Sequence, residues 1–313
     1  NRVGLDHVLL VRIASTAVAA KLLGCTRQQA LNAVSLAWID GGALRTYRHA
    51  PSTGSRKSWA AGDATSRAVR LALIARAGEM GYPLALSSPK WGFQDVLFRN
   101  QPVTLARPLE SYVMEHVLFK ISFPAEFHAQ TAVEAALTLH PQVKGRLEQI
   151  ARIEIETQEP GVRIIDKRGP LNNPADRDHC LQYMIAVPLI FGRLVAEDYE
   201  DSVAADPRID ALRAKMVVRE NESFSRDYYD LNLRSIPNSI QVFFADGTAT
   251  EKVEVHFPVG HRRRRAEGLP LMQQKYQAAI DRHFSAAQAA SLAQQFDDLE
   301  RLRATPVREF IDQ

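Results

Sequence analysis

The chain has 313 residues, of which 46% are hydrophobic and 24% are charged, a balance typical of a globular protein with roughly two domains. Its net charge of +3 is too small for a general affinity for nucleic acid, and no apolar run of about 18 residues predicts a membrane span. The two cysteines, Cys25 and Cys180, lie far apart in sequence, which favours a reducing, cytoplasmic compartment.

Residues 1–90 carry the signals of consecutive helices. Gly24 is typical of a helix end, and the run from Thr26 to Gln29 is a capping-box pattern that predicts the start of the next helix. Residues 1–23 resemble the middle of a helical protein rather than its beginning. We therefore expect a further segment to precede Asn1.

Arg56 and Lys57 stand at the predicted entrance to a helix that is rich in small residues. A neighbouring backbone is predicted to approach this helix closely at its small residues, Ala60, Ala61, Gly62 and Ala64. A lysine at the entrance of a tightly packed helix would be held in place, as binding an anionic substrate requires. Solvated surface charges are the alternative that the spacing leaves open.

From residue 119 the pattern changes to a mixture of helices and strands. We predict a helix from Phe123-Pro124 to about Leu139, a strand around Ile153 and Ile155, a helix over 174–196, a short strand over 216–219, a hairpin turning at Asp246-Gly247, and helix again over 270–302. This order predicts a mostly α protein, in which an all-helical domain (1–118 and 260–313) is interrupted by a smaller α+β domain (119–259).

Several motifs along the whole chain occur together in one known family. They are Gly4-Leu-Asp-His7, Leu44-Arg-Thr-Tyr-Arg48, Arg56-Lys-Ser-Trp-Ala-Ala-Gly62, Phe119-Lys-Ile-Ser-Phe-Pro-Ala125, Asn172-Asn-Pro-Ala-Asp-Arg-Asp-His179 and Pro258-Val-Gly-His261. The set resembles the MmgE/PrpD superfamily. The resemblance implies an all-helical domain with a smaller α+β lid, an active site between them, a homodimer formed through the helical domain, and a longer N-terminal part.

The same resemblance implies which side chains act on the substrate. It points to Lys57, Lys120, Tyr183, His7 and His128 as catalytic candidates, with Arg45, Arg56, Lys57 and Lys120 binding carboxylates. When the resemblance is set aside, a lone histidine is more often a structural residue, and a tyrosine on an apolar helix, such as Tyr183, more often belongs to the core. Lys120, between Phe119 and Ile121, must either extend to water or meet an anion.

The reaction implied by the resemblance is the dehydration of 2-methylcitrate to 2-methyl-cis-aconitate in propionate catabolism. One alternative is an enzyme that hydrates or decarboxylates cis-aconitate on the same scaffold. The other is a non-catalytic helical interaction module. We expect neither metal nor cofactor, because an iron–sulfur cluster with one iron open to substrate needs three thiolates and the chain holds two cysteines. The expected ligand is a small tricarboxylate, not nucleic acid or a membrane.

Overall fold

The computed structural model describes residues 3–40, 42–49, 53–105, 108–110 and 117–312. Contacts divide the chain into two compact units: unit 1 comprises Asn1–Glu110 and Pro170–Arg177, and unit 2 comprises Ser111–Gly169 and Asp178–Gln313. The segment 170–177 thus belongs to unit 1, although the chain on both sides of it belongs to unit 2.

The α-helices of the described chain alternate with four strands in the second half. The helices are α1 (Val8–Leu22), α2 (Arg27–Ile39), α3 (Arg56–Arg76), α4 (Phe93–Val96), α5 (Gln130–Val143), α6 (Glu159–Ile165), α7 (Pro174–Arg177), α8 (Leu181–Phe191), α9 (Asp201–Ala204), α10 (Pro207–Arg213), α11 (Glu222–Tyr229), α12 (Arg265–His283), α13 (Ala286–Asp297), α14 (Leu299–Ala304) and α15 (Val307–Ile311). The strands are β1 (Ile150–Thr157), β2 (Met216–Glu220), β3 (Asn238–Phe244) and β4 (Val253–Val255).

Unit 1 is built on the mutual packing of α1, α2 and α3. Gly24 ends α1 in the left-handed region at φ +70°, as predicted. The Thr26 hydroxyl accepts the backbone N–H of Gln29, and the Gln29 side chain accepts the backbone N–H of Thr26. This reciprocal pair confirms the predicted capping box at the start of α2.

The buried face of α3 is a single stripe of alanines. Its members are Ala60, Ala64, Ala68, Ala72 and Ala75, spaced three and four residues apart. Ala61 and Gly62 were predicted to share the packed face, and this is wrong, because both are exposed. Positions one and two residues after Ala60 turn away from a stripe that repeats every three to four residues.

Unit 2 contains a mixed sheet with the strand order β2-β1-β3-β4. The central β1 runs parallel to β2 and antiparallel to β3, so that Ile153 lies opposite both Met216 and Val242. The predicted hairpin is confirmed, with β3 and β4 antiparallel and Gly247 at φ +85° in the connecting turn. The strands that sequence alternation predicted around Ile153 and over 216–219 are therefore both present.

Two predicted helix boundaries in the second half of the chain are wrong. Residues 127–129 form a 3₁₀ turn and α5 begins at Gln130, because the Glu126 side chain accepts the backbone N–H of His128 and closes that turn. The single helix predicted over 174–196 is two helices, α7 and α8. The backbone N–H of Asp176 bonds to the Asn173 side chain at the start of α7, and Gly192 ends α8 at φ +68°.

The C-terminal helices group with unit 2, which differs from the domain limits predicted from the sequence. Near the start of α12, Gly268 packs against the Ile121 side chain. Further along, the Lys275 ammonium donates to the carbonyl of Lys120 at 2.6 Å. These contacts join α12 to the beginning of unit 2.

The predicted fold class is confirmed: one unit is helical, and the other is an α+β unit with a small sheet. In unit 2, α5 packs against α8 and against β3 and β4, and every residue of α8 from Leu181 to Ile190 is buried. Among the helices that the structure describes, none has the length and apolar character required to cross a bilayer.

His261 is fully buried and held as a neutral ring. Its Nε2 lies 3.0 Å from the carbonyl of Leu233, and its Nδ1 accepts the backbone N–H of Arg263. Since Nδ1 accepts, the proton must sit on Nε2, and a second proton would break the bond to Arg263. Burial accordingly lowers the pKa of His261 below its ordinary value of 6.5.

We expect the free energy of unfolding to fall as the pH drops below about 6.5, because the unfolded state then binds a proton that the folded His261 resists. Urea denaturation at pH 7.5, 6.0 and 5.0, compared between the wild type and His261→Gln, measures this. The difference in stability between the two proteins should shrink at low pH. A constant difference would mean that His261 does not contribute.

Candidate active site

The first candidate cluster, in unit 1, is centred on the buried carboxylate of Asp6. An isolated antiparallel bridge between Leu5 and Leu44 brings residues 4–6 alongside residues 43–45. In consequence, the Arg48 guanidinium lies 2.7 Å and that of Arg45 3.5 Å from the same carboxylate oxygen. Burial by itself would raise the pKa of Asp6, but the Val8 N–H and Arg48 outweigh it and lower that pKa.

His7 follows Asp6 directly, and its side chain is about half exposed. Its Nδ1 lies 3.5 Å from the Asp6 carboxylate. Burial, Arg48 and Arg45 together lower the pKa of His7 below 6.5 despite the attraction of Asp6. The imidazole is therefore neutral near pH 7, which is the form that can accept a proton.

The start of α3 holds Lys57 in a defined position. The Lys57 ammonium donates to the carbonyl of Ala175 at 3.5 Å, and the Asn173 amide donates to the carbonyl of Thr53 at 3.0 Å. Both bonds join the 170–177 segment to the entrance of α3 within unit 1. A half-buried lysine held in this way presents a fixed positive charge.

Arg56 is already engaged by side chains of unit 1. Its guanidinium lies over the rings of Trp59, 4.4 Å from the centroid, and of Tyr47, 5.3 Å from the centroid. It also pairs with Asp63 at 3.3 Å. Arg45 is engaged in the same way by Asp6, so both arginines have protein partners in this structure.

Two cavities lie beside these residues in unit 1. One, of about 530 Å³, is largely apolar, with Asp6 and His7 on its wall together with Leu5, Leu9, Trp38 and Phe93. The other, of about 120 Å³, is bordered by the side chains of Arg12, Arg56, Arg67 and Asp63. Histidine and arginine side chains thus reach space that small molecules can enter.

In unit 2, Lys120 and Tyr183 have different surroundings. Lys120 is exposed while the adjacent Ile121 is buried, so the ammonium extends to water. Tyr183 is 2% exposed, stacks on Tyr199, and donates its hydroxyl to the carbonyl of Asp198 at 2.6 Å. This environment is that of a core tyrosine with a satisfied hydroxyl, the alternative weighed from the sequence.

His128 is the centre of a second cluster, with Glu126 on one side and Tyr228 on the other. Its Nδ1 lies 2.8 and 2.9 Å from the two Glu126 oxygens, and its Nε2 lies 3.1 Å from the Tyr228 hydroxyl. Burial would raise the pKa of Glu126, but the hydrogen bonds and charge of His128 lower it below its ordinary value. The carboxylate is therefore ionised and paired.

Of the predicted residues, the structure brings His7 and Arg45 together, and it adds partners that the sequence did not reveal. His7 and Arg45 both lie against Asp6, and His128 lies against Glu126 and Tyr228. Asp6 and Glu126 could have been found, since each lies within two residues of a candidate histidine. Tyr228 lies 100 residues from His128, and no local pattern pointed to it.

No group of three histidine, cysteine or acidic side chains in the described part of the chain is arranged to hold a metal ion. The cysteine thiols are free, with Cys180 buried in unit 2 and Cys25 partly buried in unit 1. Burial raises the pKa of Cys180, which keeps it protonated and unreactive.

Comparison with known families and proteins agrees with the resemblance noted in the motifs. The MmgE/PrpD N-terminal domain matches residues 1–106 and the MmgE/PrpD C-terminal domain matches residues 123–301. The chain belongs to the MmgE/PrpD family.

Among its relatives is the 2-methylcitrate dehydratase of Cupriavidus necator, 60% identical over 315 residues. The enzyme of the same name from Escherichia coli K12 is 59% identical over 315 residues, and in both cases the match covers 100% of this chain and 65% of the relative. The mitochondrial 2-methylcitrate dehydratase of Yarrowia lipolytica is 56% identical over 93% of this chain and 57% of its own length. The chain therefore spans somewhat less than two thirds of these curated relatives.

Proposed function

We propose that the protein is a hydro-lyase that dehydrates 2-methylcitrate to 2-methyl-cis-aconitate in propionate catabolism. The observation that carries this proposal is the identity of about 60% with bacterial 2-methylcitrate dehydratases along the whole chain. The half-buried Lys57, held at the entrance of α3, agrees with a substrate that carries carboxylates.

The dehydration removes a carbon-bound proton beside a carboxylate and expels a tertiary hydroxide. Negative charge grows on that carboxylate as the proton leaves, so fixed positive charges lower the barrier. We assign this role to Lys57, which is held at the entrance of α3, and to Lys120. Arg45 and Arg56 contribute to the positive potential, although each is already paired with an aspartate.

A base must take the proton and an acid must protonate the leaving oxygen. His7 and His128 are suited to these steps: His7 is neutral near pH 7 and half exposed, and His128 is oriented by a carboxylate. Tyr183 would have to release the Asp198 carbonyl before it could act. We therefore assign the proton transfers to the histidines and their hydrogen-bond partners instead of Tyr183, and a Tyr183→Phe variant with unchanged kcat would agree with this.

Analysis of the product by mass tests the function in the complete protein. Incubation with 2-methylcitrate should give a product lighter by one water. Loss of carbon dioxide from cis-aconitate, with no reaction of 2-methylcitrate, would replace dehydration by decarboxylation. Failure to bind any tricarboxylate in calorimetry would favour a non-catalytic interaction module.

The expectation that the reaction needs no metal or cluster stays a prediction. Dialysis against a chelator, or anaerobic reconstitution with iron and sulfide, should leave the turnover unchanged. Activation several-fold by iron and sulfide would contradict it. The proposals of a homodimer and of a cytoplasmic protein rest on the family resemblance and on the cysteine usage, and sedimentation of the purified protein tests the first of them.

A further inference from the structure

Three side chains from two distant segments of unit 2 form a continuous chain of hydrogen bonds. Glu126 directly precedes the 3₁₀ turn Phe127–Ala129 and His128 lies within it, while Tyr228 lies near the end of α11. The turn and α11 both contact α6. The order of contacts is Glu126 carboxylate, His128 Nδ1, His128 Nε2 and Tyr228 hydroxyl.

The carboxylate determines where the protons lie. Glu126 is acceptor-only when ionised, so the Nδ1 of His128 must carry the proton that lies between them. With one proton on the ring, Nε2 is an acceptor, and the Tyr228 hydroxyl, 3.1 Å away, donates to it. A third bond, from the backbone N–H of His128 to Glu126 at 2.7 Å, prevents the carboxylate from turning away.

The surroundings of Tyr228 favour the protonated phenol, which is the form that donates to His128. Burial, together with the charge of Glu126, raises the pKa of Tyr228, so the phenol holds its proton in the resting state. The other titratable or charged groups that influence the cluster are Asp178, His179, Glu159, Arg163 and Tyr229. Of these, Glu159 is occupied by Arg163 and by the Tyr229 hydroxyl.

We propose that Glu126, His128 and Tyr228 form the proton relay of the dehydration, with Tyr228 as the group that exchanges a proton with the substrate. This rests on the function proposed above. Tyr228 is a catalytic residue of the relay, His128 stores the proton, and Glu126 is a positioning residue that orients the ring and neutralises its positive form.

The step balances without an added reactant. The substrate C–H bond breaks, its electron pair becomes the new double bond, and the C–O pair leaves with hydroxide. The proton passes to the Tyr228 oxygen as the phenolic proton moves to His128 Nε2, and Glu126 stabilises the imidazolium. Return of that proton to the hydroxide gives water and restores the relay.

Two neighbouring tyrosines provide a matched pair of variants. Tyr228→Phe removes the hydroxyl of the relay and should lower kcat about a hundredfold with a much smaller change in KM. Tyr229→Phe removes a hydroxyl one residue away that bonds to the partly exposed Glu159 carboxylate, outside the chain of hydrogen bonds, and should leave kcat within about twofold. Glu126→Gln keeps an acceptor near Nδ1 but loses the charge, so kcat should fall and the acid limb of its pH profile should move to lower pH.

Nitrogen-15 NMR of the His128 ring without substrate supplies a measurement that does not depend on turnover. The relay requires Nδ1 protonated and Nε2 an acceptor in the wild type. Wild-type kcat and pH profile in Tyr228→Phe would overturn the catalytic role of Tyr228. A protonated Nε2 would overturn donation by the Tyr228 hydroxyl, and an unprotonated Nδ1 would overturn the positioning by Glu126. If the wild type fails to dehydrate 2-methylcitrate, the proposed function and the relay's part in it fail together, and the ring tautomer still decides the role of Glu126.

Discussion

Replacing Lys57 or Lys120 by methionine is expected to lower the turnover of 2-methylcitrate by about a hundredfold or more, with little loss of stability. Methionine keeps most of the aliphatic stem and removes the ammonium, so the change isolates the charge. Lys57 is the stronger case structurally, because its ammonium is fixed on the Ala175 carbonyl. The measurement is kcat and KM on the complete protein, with thermal melting to verify the fold.

Lys144 is a suitable control, since it is an exposed lysine at the end of α5 that the mechanism does not use. Lys144→Met should retain wild-type kcat. Wild-type kcat in Lys120→Met would remove Lys120 from the site, whereas a rise in KM alone would mean that Lys120 binds substrate without stabilising the transition state.

Replacing Gly260 by alanine should destabilise the protein by about 3 kcal/mol. Gly260 has φ +102°, and a Cβ there would overlap the carbonyl oxygen of Phe119 and lie 3.0 Å from its carbon. The Phe119 backbone N–H also donates to the Gly260 carbonyl, so the neighbouring backbone cannot move aside without losing that bond. The midpoint of urea unfolding reports the loss.

Gly247→Ala separates the effect of the left-handed backbone from the effect of the contact with Phe119. Gly247 also has positive φ, +85°, but a Cβ there would meet nothing within 4 Å. Alanine at this position should lower the free energy of unfolding by only about 1 kcal/mol, because the left-handed backbone is unfavourable for a residue with a Cβ. Equal losses in the two variants would mean that the contact with Phe119 adds nothing at Gly260.

Features that depend on neighbours in sequence were largely predictable. The capping box at Thr26, the left-handed ends at Gly24 and Gly192, and the alternation around Ile153 are local, and the structure has all of them. The predicted start of α5 was wrong for a physical reason. The bond from His128 N–H to the Glu126 side chain favours a 3₁₀ turn where Pro124 indicated a helix start.

The candidate residues themselves came from motif resemblance, and their partners came from the structure. Nothing in the sequence near His128 indicates that α11 delivers Tyr228 to it, because the two are 100 residues apart. Likewise, the pairing of Arg45 with Asp6 depends on the bridge between Leu5 and Leu44, which joins segments about forty residues apart. Long-range pairing of this kind leaves no periodic signal in a single sequence.

The chain enters unit 1 a second time at residues 170–177, and this limits how the protein can be divided into stable fragments. A fragment ending near residue 110 would lack Ala175 and Asn173, and with them the hydrogen bonds that hold Lys57 and the carbonyl of Thr53. A single cut between the units therefore cannot yield an intact N-terminal half. Protein engineers who wish to exchange one half between relatives would have to graft this short loop together with residues 1–110.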